Sequence, residues 1–210
     1  MNEQQGLPGI DTARTVANPN DLWMTPDWLA AEFVAWCHID GQVVLEPSAG
    51  TGQLVRELRA QGARGVLAFE LDPEWAERGG FACGDFLVSE LRPAVERALY
   101  TPGLLPEVTV GNPPFSLMLE FIERALAWTP RVCMILPVSV FFGKNEKDPG
   151  QSRHRLWTSV AHPTRVRVLS ARPRFVGAKD TSPATDFLFM EIARGGTPKG
   201  TTCSVSIEWA

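Results

Sequence analysis

The chain has 210 residues, of which 44% are hydrophobic and 21% charged, and its formal net charge at pH 7 is −4. These values are typical of a globular protein, and the length suits one domain with a sizeable core. The four cysteines form no Cys-x-x-Cys pair, the N-terminus is polar, and Pro137 interrupts the longest apolar stretch. We therefore expect a cytoplasmic protein with no metal site, no disulfide framework and no membrane segment.

Residues 1–20 are rich in Gly, Pro, Asn and Gln and have no periodicity, which predicts a flexible N-terminal segment. Residues 21–210 are the predicted domain. Within it, Thr25 and Pro26 precede an apolar repeat of helical spacing that runs to Trp36. Because Thr favours the N-cap position and Pro the first helical position, we expect a helix to begin there.

A short apolar run, 42–46, is followed by the loop Glu46-Pro47-Ser48-Ala49-Gly50-Thr51-Gly52 and by an amphipathic segment, 53–61. This order predicts a strand, a glycine-containing turn and a helix, the first unit of a doubly wound fold. Glycine at positions 50 and 52 would allow the backbone to approach a ligand closely. No Lys-Ser/Thr pair follows the glycines, so the loop is not the phosphate loop of an NTPase.

Two further strand ends carry acidic residues. Residues 65–69 read as a strand that ends in Glu70, where a carboxylate can bind both hydroxyls of a ribose. Residues 81–83 read as a short strand before Asp85, which can accept a hydrogen bond from an adenine amine or cap a helix predicted over 88–100. Asp72 is expected to cap the helix that follows Glu70.

The sequence Asn112-Pro113-Pro114-Phe115 lies between the strand predicted at 108–110 and a helix predicted at 116–128. The prolines make the loop rigid, and Asn112 offers a side-chain carbonyl and an amide. Phe115 adds an aromatic face. These features suit an amine on a flat ring, such as a nucleobase, although a proline-rich turn that caps a helix would have the same sequence.

Beyond this loop, the patterns predict a buried strand at 131–136, a polar loop at 141–153, a helix at 154–161 and strands at 165–169, 186–193 and 202–208, with a second basic loop at 172–184. Residues 1–130 hold 8 Lys and Arg against 18 Asp and Glu, a balance of −10, whereas residues 131–200 hold 12 against 5, a balance of +7. Such asymmetry indicates either a basic face for phosphates or an unevenly charged solvated surface.

Four motifs occur in a characteristic order: Leu-Glu-Pro-Ser-Ala-Gly-Thr-Gly at 45–52, Phe-Glu-Leu-Asp-Pro at 69–73, Gly-Asp-Phe at 84–86 and Asn-Pro-Pro-Phe at 112–115. Together they resemble the S-adenosylmethionine-dependent DNA adenine-N6 methyltransferases. Trp-Met-Thr-Pro at 23–26 resembles their N-terminal cofactor motif, and residues 186–190 resemble the terminal hairpin of small phage-type members. The resemblance implies an α/β fold: a doubly wound, mostly parallel seven-stranded sheet with an antiparallel edge strand, the Rossmann-like class I methyltransferase architecture.

The resemblance also implies roles for individual residues. The amine of the target base would be held by Asn112 and the carbonyl of Pro113, with Pro114 stiffening the loop and Phe115 stacking on the base. The cofactor's ribose would be bound by Glu70, its adenine by Leu71, Asp85 and Phe86. Its methionine part would be held by Thr25, Pro26, Glu46, Pro47, Ser48, Ala49, Gly50 and Gly52, beside Asn112.

Members with this motif order usually carry a sizeable target-recognition domain after the catalytic part, and this chain has almost no residues left for one. Recognition would then depend on the two basic loops, through Lys144, Lys147, Arg153, Arg155, Arg172, Arg174 and Lys179. The implied partner is DNA. The alternatives are an RNA base methyltransferase acting on adenine N6 or guanine N2, a protein glutamine methyltransferase, and a non-catalytic cofactor-binding module.

Overall fold

The structure is a computed structural model, and it describes residues 23–88, 105–141, 156–175, 186–195 and 206–209. In these ranges helices alternate with strands along most of the chain, as the sequence patterns predict. The helices are α1 (Asp27–Cys37), α2 (Gln53–Ala60), α3 (Pro73–Gly79) and α4 (Met118–Trp128), with 3₁₀ turns at Phe115–Leu117 and Val138–Phe141 and a π-helical turn at Leu156–Val160. The strands are β1 (Val43–Glu46), β2 (Gly65–Glu70), β3 (Ala82–Cys83), β4 (Val108–Gly111), β5 (Arg131–Pro137), β6 (Ala161–Val168), β7 (Phe187–Arg194) and β8 (Ser206–Trp209).

All eight strands belong to one sheet, in the order β3-β2-β1-β4-β5-β7-β6-β8. Strands β1 to β5 pair in parallel, whereas β7 is antiparallel to both β5 and β6. The strand order reverses between β1 and β4, which creates a crevice outside their carboxyl ends. In open α/β sheets this switch point is where ligands bind.

The predicted α/β, doubly wound and mostly parallel architecture is confirmed. Two details of the prediction differ: the sheet has an eighth strand, and its antiparallel strand β7 is third from one edge instead of at the edge. The reason is that β8 pairs in parallel with β6, with Arg165 opposite Ser206 and Val168 opposite Trp209. Strand β8 thereby satisfies backbone groups of β6 that would otherwise be unpaired.

Both faces of the sheet are covered, which explains why its central strands read as continuous apolar runs. In β5, Val132, Met134 and Leu136 pack into a cluster on the side of α4, whereas Cys133 and Ile135 pack on the side of α1. The alternation follows from the period of two along a strand. This double burial fixes the register of the sheet and therefore the position of the loops at its carboxyl edge.

The last third of the chain departs most from the predicted elements. The helix expected at 154–161 is a π-helical turn in its described part, and β6 begins at Ala161, four residues earlier than expected. Strand β6 contains Pro163, and the pairing with β7 shifts register between Pro163 and Arg165. A proline has no backbone N–H to donate to a neighbouring strand. The register shift therefore lies next to Pro163, where regular pairing is already interrupted. The segments 1–20 and 88–100 lie wholly or almost wholly outside the described residues.

Candidate active site

A cavity of about 450 Å³ lies at the switch point, outside the carboxyl ends of β1, β2 and β4. Its volume is in the range of sites that bind small molecules. The sequence motifs predicted to form one site do meet here, although up to about 90 residues separate them along the chain. The predicted residues that line the cavity are Thr25, Pro47, Ser48, Ala49, Gly50, Glu70, Leu71, Asp85, Phe86, Asn112, Pro113 and Pro114.

The glycine loop is held against β2 by backbone hydrogen bonds. The Ala49 N–H donates to the carbonyl of Phe69 at 2.8 Å. Gly50 and Gly52 have φ of 55° and 85°, which other residues rarely adopt. A Cβ on Gly50 would meet no atom within 4 Å, whereas one on Gly52 would lie 2.9 Å from Cζ of Phe81. Gly50 therefore borders the cavity. At position 52 a glycine is needed, because φ is positive there and a Cβ would collide with the ring of Phe81.

Glu70 ends β2 and is only 8% exposed. Its Oε2 accepts a hydrogen bond from the Gly50 N–H at 2.6 Å, and its Oε1 accepts one from the Asp72 N–H at 2.9 Å. The carboxylate therefore joins the glycine loop to the start of α3. Each oxygen keeps a further lone pair, so the group can still accept hydrogen bonds from a ligand.

Two neighbouring aspartates have different surroundings. Asp72 caps α3, as predicted, because its Oδ1 accepts from the N–H groups of Glu74 and Trp75 at 2.9 and 3.1 Å. Asp85 lines the cavity, where it accepts from the Leu87 N–H at 2.8 Å. Partial burial raises the pKa of Asp85 above its ordinary value. Asp72 lines the cavity as well, but it already accepts two hydrogen bonds and Asp85 only one, so Asp85 has more acceptor capacity left for a ligand.

Asn112 follows β4 and is almost buried, with 9% of its surface exposed. Its Nδ2 donates to the backbone carbonyl of Trp23 at 2.9 Å and to Oγ1 of Thr25 at 3.1 Å. These acceptors fix the orientation of the amide, because a rotated amide would place its oxygen against the carbonyl. Among the described residues, Oδ1 of Asn112 has no hydrogen-bond donor. The site thus contains a buried acceptor whose direction is set.

Thr25 does not cap α1, contrary to the prediction. The N-cap of α1 is Pro26, without a side-chain hydrogen bond, and the first helical residue is Asp27. The hydroxyl of Thr25 is instead turned to Asn112. This contact lies 87 residues away along the chain, so the local capping pattern could not predict it. The carbonyl of Pro26 is already engaged in α1, because it accepts a hydrogen bond from the Ala30 N–H at 2.9 Å.

Glu46 is fully buried behind the glycine loop. Its Oε1 accepts from the Ser48 N–H at 3.1 Å, and its Oε2 has no hydrogen-bond partner in the described part of the chain. Burial raises the pKa of Glu46 to about 8, so this carboxyl is mostly protonated at neutral pH. A Cβ at Gly111 would lie 3.3 Å from this Oε1, so glycine allows β4 to approach β1 here.

Four of the predicted catalytic and cofactor-binding residues do not line the cavity: Pro26, Glu46, Gly52 and Phe115. Phe115 lies in an aromatic cluster that we define as Trp23, Phe115, Phe175 and Phe187. Its ring centroid is 6.1 Å from that of Trp23, 5.8 Å from that of Phe175 and 5.1 Å from that of Phe187. Phe115 is therefore enclosed mainly by other rings.

Three aromatic residues line the cavity without having been assigned a role from the sequence: Trp23, Trp75 and Phe121. Trp75 lies in the first turn of α3, three residues after Asp72, which caps that helix. Its closeness in sequence to Glu70, the acidic end of β2, is the signal from which it could have been predicted. Trp23 was visible only as part of the Trp-Met-Thr-Pro motif. Leu71 also lines the cavity, and 45% of its surface is exposed.

The predicted basic residues are only partly described. Arg172 is exposed and pairs with Asp186, with Nε to Oδ1 at 2.7 Å, and Arg174 is exposed. Phe175, which follows them, is 5% exposed and packs edge-on against Phe115 and Trp23. This part of the second basic loop is thus anchored beside the Asn-Pro-Pro-Phe loop. The remaining five residues lie outside the described residues: Lys144, Lys147, Arg153, Arg155 and Lys179.

The described residues contain no group of three or more His, Cys, Asp or Glu that could hold a metal ion. In the same ranges, the structure has no helix that is both long and apolar enough to cross a membrane.

No protein-family model matches the sequence. No curated protein matches it either. Solved structures do resemble it in fold. The M protein of the type I restriction enzyme EcoKI has a TM-score of 0.61 and 15% identity, over 83% of this chain and 44% of that one. A protein from Pyrococcus horikoshii, described as a candidate RNA methyltransferase, has a TM-score of 0.57 and 18% identity, over 84% and 88% of the two chains.

A third similar structure is a protein from Listeria monocytogenes, described as a candidate class I S-adenosylmethionine-dependent methyltransferase. It has a TM-score of 0.56 and 14% identity, over 96% of this chain and 68% of that one. Identities this low establish a common fold and no more. With its strand order and its antiparallel β7, the chain has the Rossmann-like fold of the class I methyltransferases.

Proposed function

We propose that this protein transfers a methyl group from S-adenosylmethionine to the exocyclic N6 amine of adenine in DNA. The observation that carries the proposal is the amide of Asn112, a residue that lines the cavity: its nitrogen is engaged by Trp23 and Thr25, while its buried oxygen has no hydrogen-bond donor among the described residues. The exocyclic amine of a nucleobase can donate a hydrogen bond to this oxygen of Asn112. Leaving such a buried acceptor without a partner costs about 1–3 kcal/mol.

The cavity has the donor and acceptor groups that the cofactor requires. Its wall contains the carboxylates of Glu70, Asp72 and Asp85, which suit a ligand that carries positive charges and ribose hydroxyls. Leu71 and Trp75 offer an apolar surface of the kind on which an adenine ring packs. When bound, the cofactor supplies an electrophilic methyl group on a sulfonium, so the task of the protein is mainly alignment.

Asn112 and Pro113 would perform that alignment. The Asn112 Oδ1 and the Pro113 carbonyl would accept hydrogen bonds from the amine and draw its nitrogen toward tetrahedral geometry, which makes its lone pair available to the cofactor's methyl group; S-adenosylhomocysteine would be the leaving group. No side chain needs to act as a general base, because the amine becomes acidic once it is methylated. A base in a duplex cannot enter this cavity, so the nucleotide must be flipped out, at a cost of a few kcal/mol.

DNA is the preferred substrate because Trp-Met-Thr-Pro, Glu-Pro-Ser-Ala-Gly-Thr-Gly and Asn-Pro-Pro-Phe occur in the order of the adenine-N6 enzymes. The similar fold of the EcoKI M protein, which belongs to a restriction enzyme, supports this choice. An RNA base methyltransferase is the second candidate, since the P. horikoshii protein matches over most of both chains. Anchoring of Arg174 beside the catalytic loop supports either nucleic acid.

The test is methyl transfer from tritium-labelled cofactor to separate samples of unmethylated bacterial DNA, total RNA and a protein extract. We expect label in the DNA sample, recovered as N6-methyladenine after digestion to nucleosides. Label in RNA alone would replace the proposal by its second candidate, and label in protein alone would contradict both.

Asn112→Ala should lower the transfer rate by roughly 10²–10³-fold, the usual cost of removing one group that stabilises a transition state. The dissociation constant for S-adenosylhomocysteine, measured by calorimetry, should change by less than about threefold, because Asn112 acts on the target amine. Pro113→Ala is the matched control: it keeps the backbone carbonyl, so we expect a much smaller loss. Near wild-type transfer by Asn112→Ala would rule out the mechanism.

A further inference from the structure

Trp23 is an aromatic residue at the wall of the cavity, next to Asn112. Trp23 lines the cavity together with Asn112, Pro113 and Pro114, whereas Phe115 does not. The backbone carbonyl of Trp23 also accepts from Nδ2 of Asn112 at 2.9 Å. A single residue therefore contributes both an aromatic surface and a contact that orients the amide at the same end of the cavity.

Phe115 packs against Trp23. The ring planes of Trp23 and Phe115 are nearly parallel, at 21°, with centroids 6.1 Å apart. Phe187 and Phe175 contact Phe115 at centroid distances of 5.1 and 5.8 Å, and Phe175 also packs edge-on against Trp23 at 6.3 Å. The remainder of the aromatic cluster thus packs against Phe115 and Trp23.

We propose that Trp23 provides the stacking face for the target base, and that Phe115 holds Trp23 in place. This assignment rests on the proposed function, and it makes the Trp of the Trp-Met-Thr-Pro motif a substrate-binding residue. A flat indole beside a fixed acceptor suits a purine, whose ring would stack while its exocyclic amine reaches Oδ1 of Asn112.

Stacking of one base on an aromatic side chain contributes about 1–3 kcal/mol, which corresponds to a loss of roughly 5- to 150-fold when the face is removed. Trp23→Leu removes the aromatic face but keeps an apolar side chain. We expect it to lower kcat/KM for unmethylated bacterial DNA within that range, while binding of S-adenosylhomocysteine changes by less than about threefold. Trp23→Phe restores a face and should recover most of the activity.

Trp28→Leu is the matched control, since Trp28 is 47% exposed on α1 and lies outside the cavity lining. We expect its kcat/KM to equal that of the wild type. A second readout is tryptophan fluorescence, because stacking of a base quenches an indole. Addition of unmethylated DNA in the presence of S-adenosylhomocysteine should quench the wild-type emission, and Trp23→Phe should lose most of this quenching while it remains active.

Wild-type kcat/KM in Trp23→Leu would overturn the stacking role. So would unchanged quenching in Trp23→Phe, or a loss of cofactor binding in Trp23→Leu that parallels its loss of activity, since each result would make Trp23 a structural support. These outcomes are distinct from failure of the proposed function, in which the wild type itself labels no nucleic acid and both proposals fall.

Discussion

At the scale of single residues, the site depends on two buried polar side chains that are only partly satisfied. Within the described ranges, Asn112 has its nitrogen engaged and its oxygen without a donor, and Glu46 has one oxygen engaged and the other without a partner. Buried polar groups are normally paired, and exceptions concentrate where a protein binds or reacts. Ser48 links the two residues, since its Oγ contacts Oε1 of Glu46 at 3.5 Å and the backbone carbonyl of Asn112 at 3.3 Å.

Glu46 should make the stability of the free protein depend on pH. Its pKa is about 8 in the folded state against an ordinary value of 4.5, so the folded state binds more protons between these pH values. Stability should therefore fall as pH rises from about 4.5 to about 8, by roughly 1 kcal/mol per pH unit. Glu46→Gln removes the titrating proton, and urea unfolding at about pH 5.5 and about pH 7.5 should show a smaller decrease than in the wild type.

Glu74→Gln is the control for this measurement, because Glu74 lies on the surface of α3 in an exposed pair with Arg78. Its pH dependence should match that of the wild type. If Glu46→Gln keeps the full wild-type slope, then Glu46 is ionised in the folded protein.

At the scale of elements, the first five strands were predictable from the sequence because each has a local signature. Strands β1, β2, β4 and β5 lie within about two residues of their predicted bounds, since apolar runs that end in polar or glycine-containing loops are strong local signals. The end of the chain was harder to predict. Residues 156–160 form a π-helical turn and β6 contains a proline, and both depend on packing against β7.

The loop that carries Arg172 and Arg174 is the element most suited to contact a phosphate backbone, because Phe175 anchors it in the aromatic cluster. Arg174→Gln should weaken binding of a fluorescent DNA duplex and reduce the slope of log K against log salt by about one unit. Arg172→Gln should have a smaller effect, since Asp186 already neutralises this side chain. Anisotropy titrations over a range of NaCl concentrations measure both.

Arg59→Gln, at an exposed position near the end of α2, is the control for a general loss of positive charge. Its slope should equal that of the wild type. An unaltered slope in Arg174→Gln would show that this part of the basic loop does not contact phosphate.

At the scale of the whole molecule, a ligand that fills the cavity should connect β1, β2 and β4 and stabilise the fold. At a concentration of about 100 times its dissociation constant, S-adenosylhomocysteine should add about 2.7 kcal/mol, which raises Tm by roughly 5–10 °C in a protein of this size. Glu70→Ala should lose most of this shift, measured relative to its own ligand-free Tm, because Glu70 braces the glycine loop and faces the ligand.

ATP is the control ligand in these thermal scans. It shares the adenosine part but brings a polyphosphate to a cavity that is lined by carboxylates, so we expect little or no shift. The absence of a shift with S-adenosylhomocysteine in the wild type would contradict the cofactor assignment.

The distribution of charge shows why a count along the chain is insufficient. Arg131 and Arg165 contribute to the balance of +7 in residues 131–200, yet both are mostly buried and pair with Glu191 at 3.2 Å. They also donate to backbone carbonyls at the end of α1, including those of Trp36 and Cys37. These two charges stabilise the fold, and the positive surface is smaller than the sequence suggests.

The sequence by itself determined the alternation of strands and helices and the polar loops at the strand ends, because periodicity and turn chemistry act over about ten residues. Only the tertiary structure decided which atoms in those loops are available. The amide of Asn112 is oriented by residues 87 and 89 positions away, and Arg165 is neutralised by one 26 positions away. Trp23 lines the cavity and Phe115 does not for the same reason: the packing of side chains that are distant in sequence decides which residues reach the cavity.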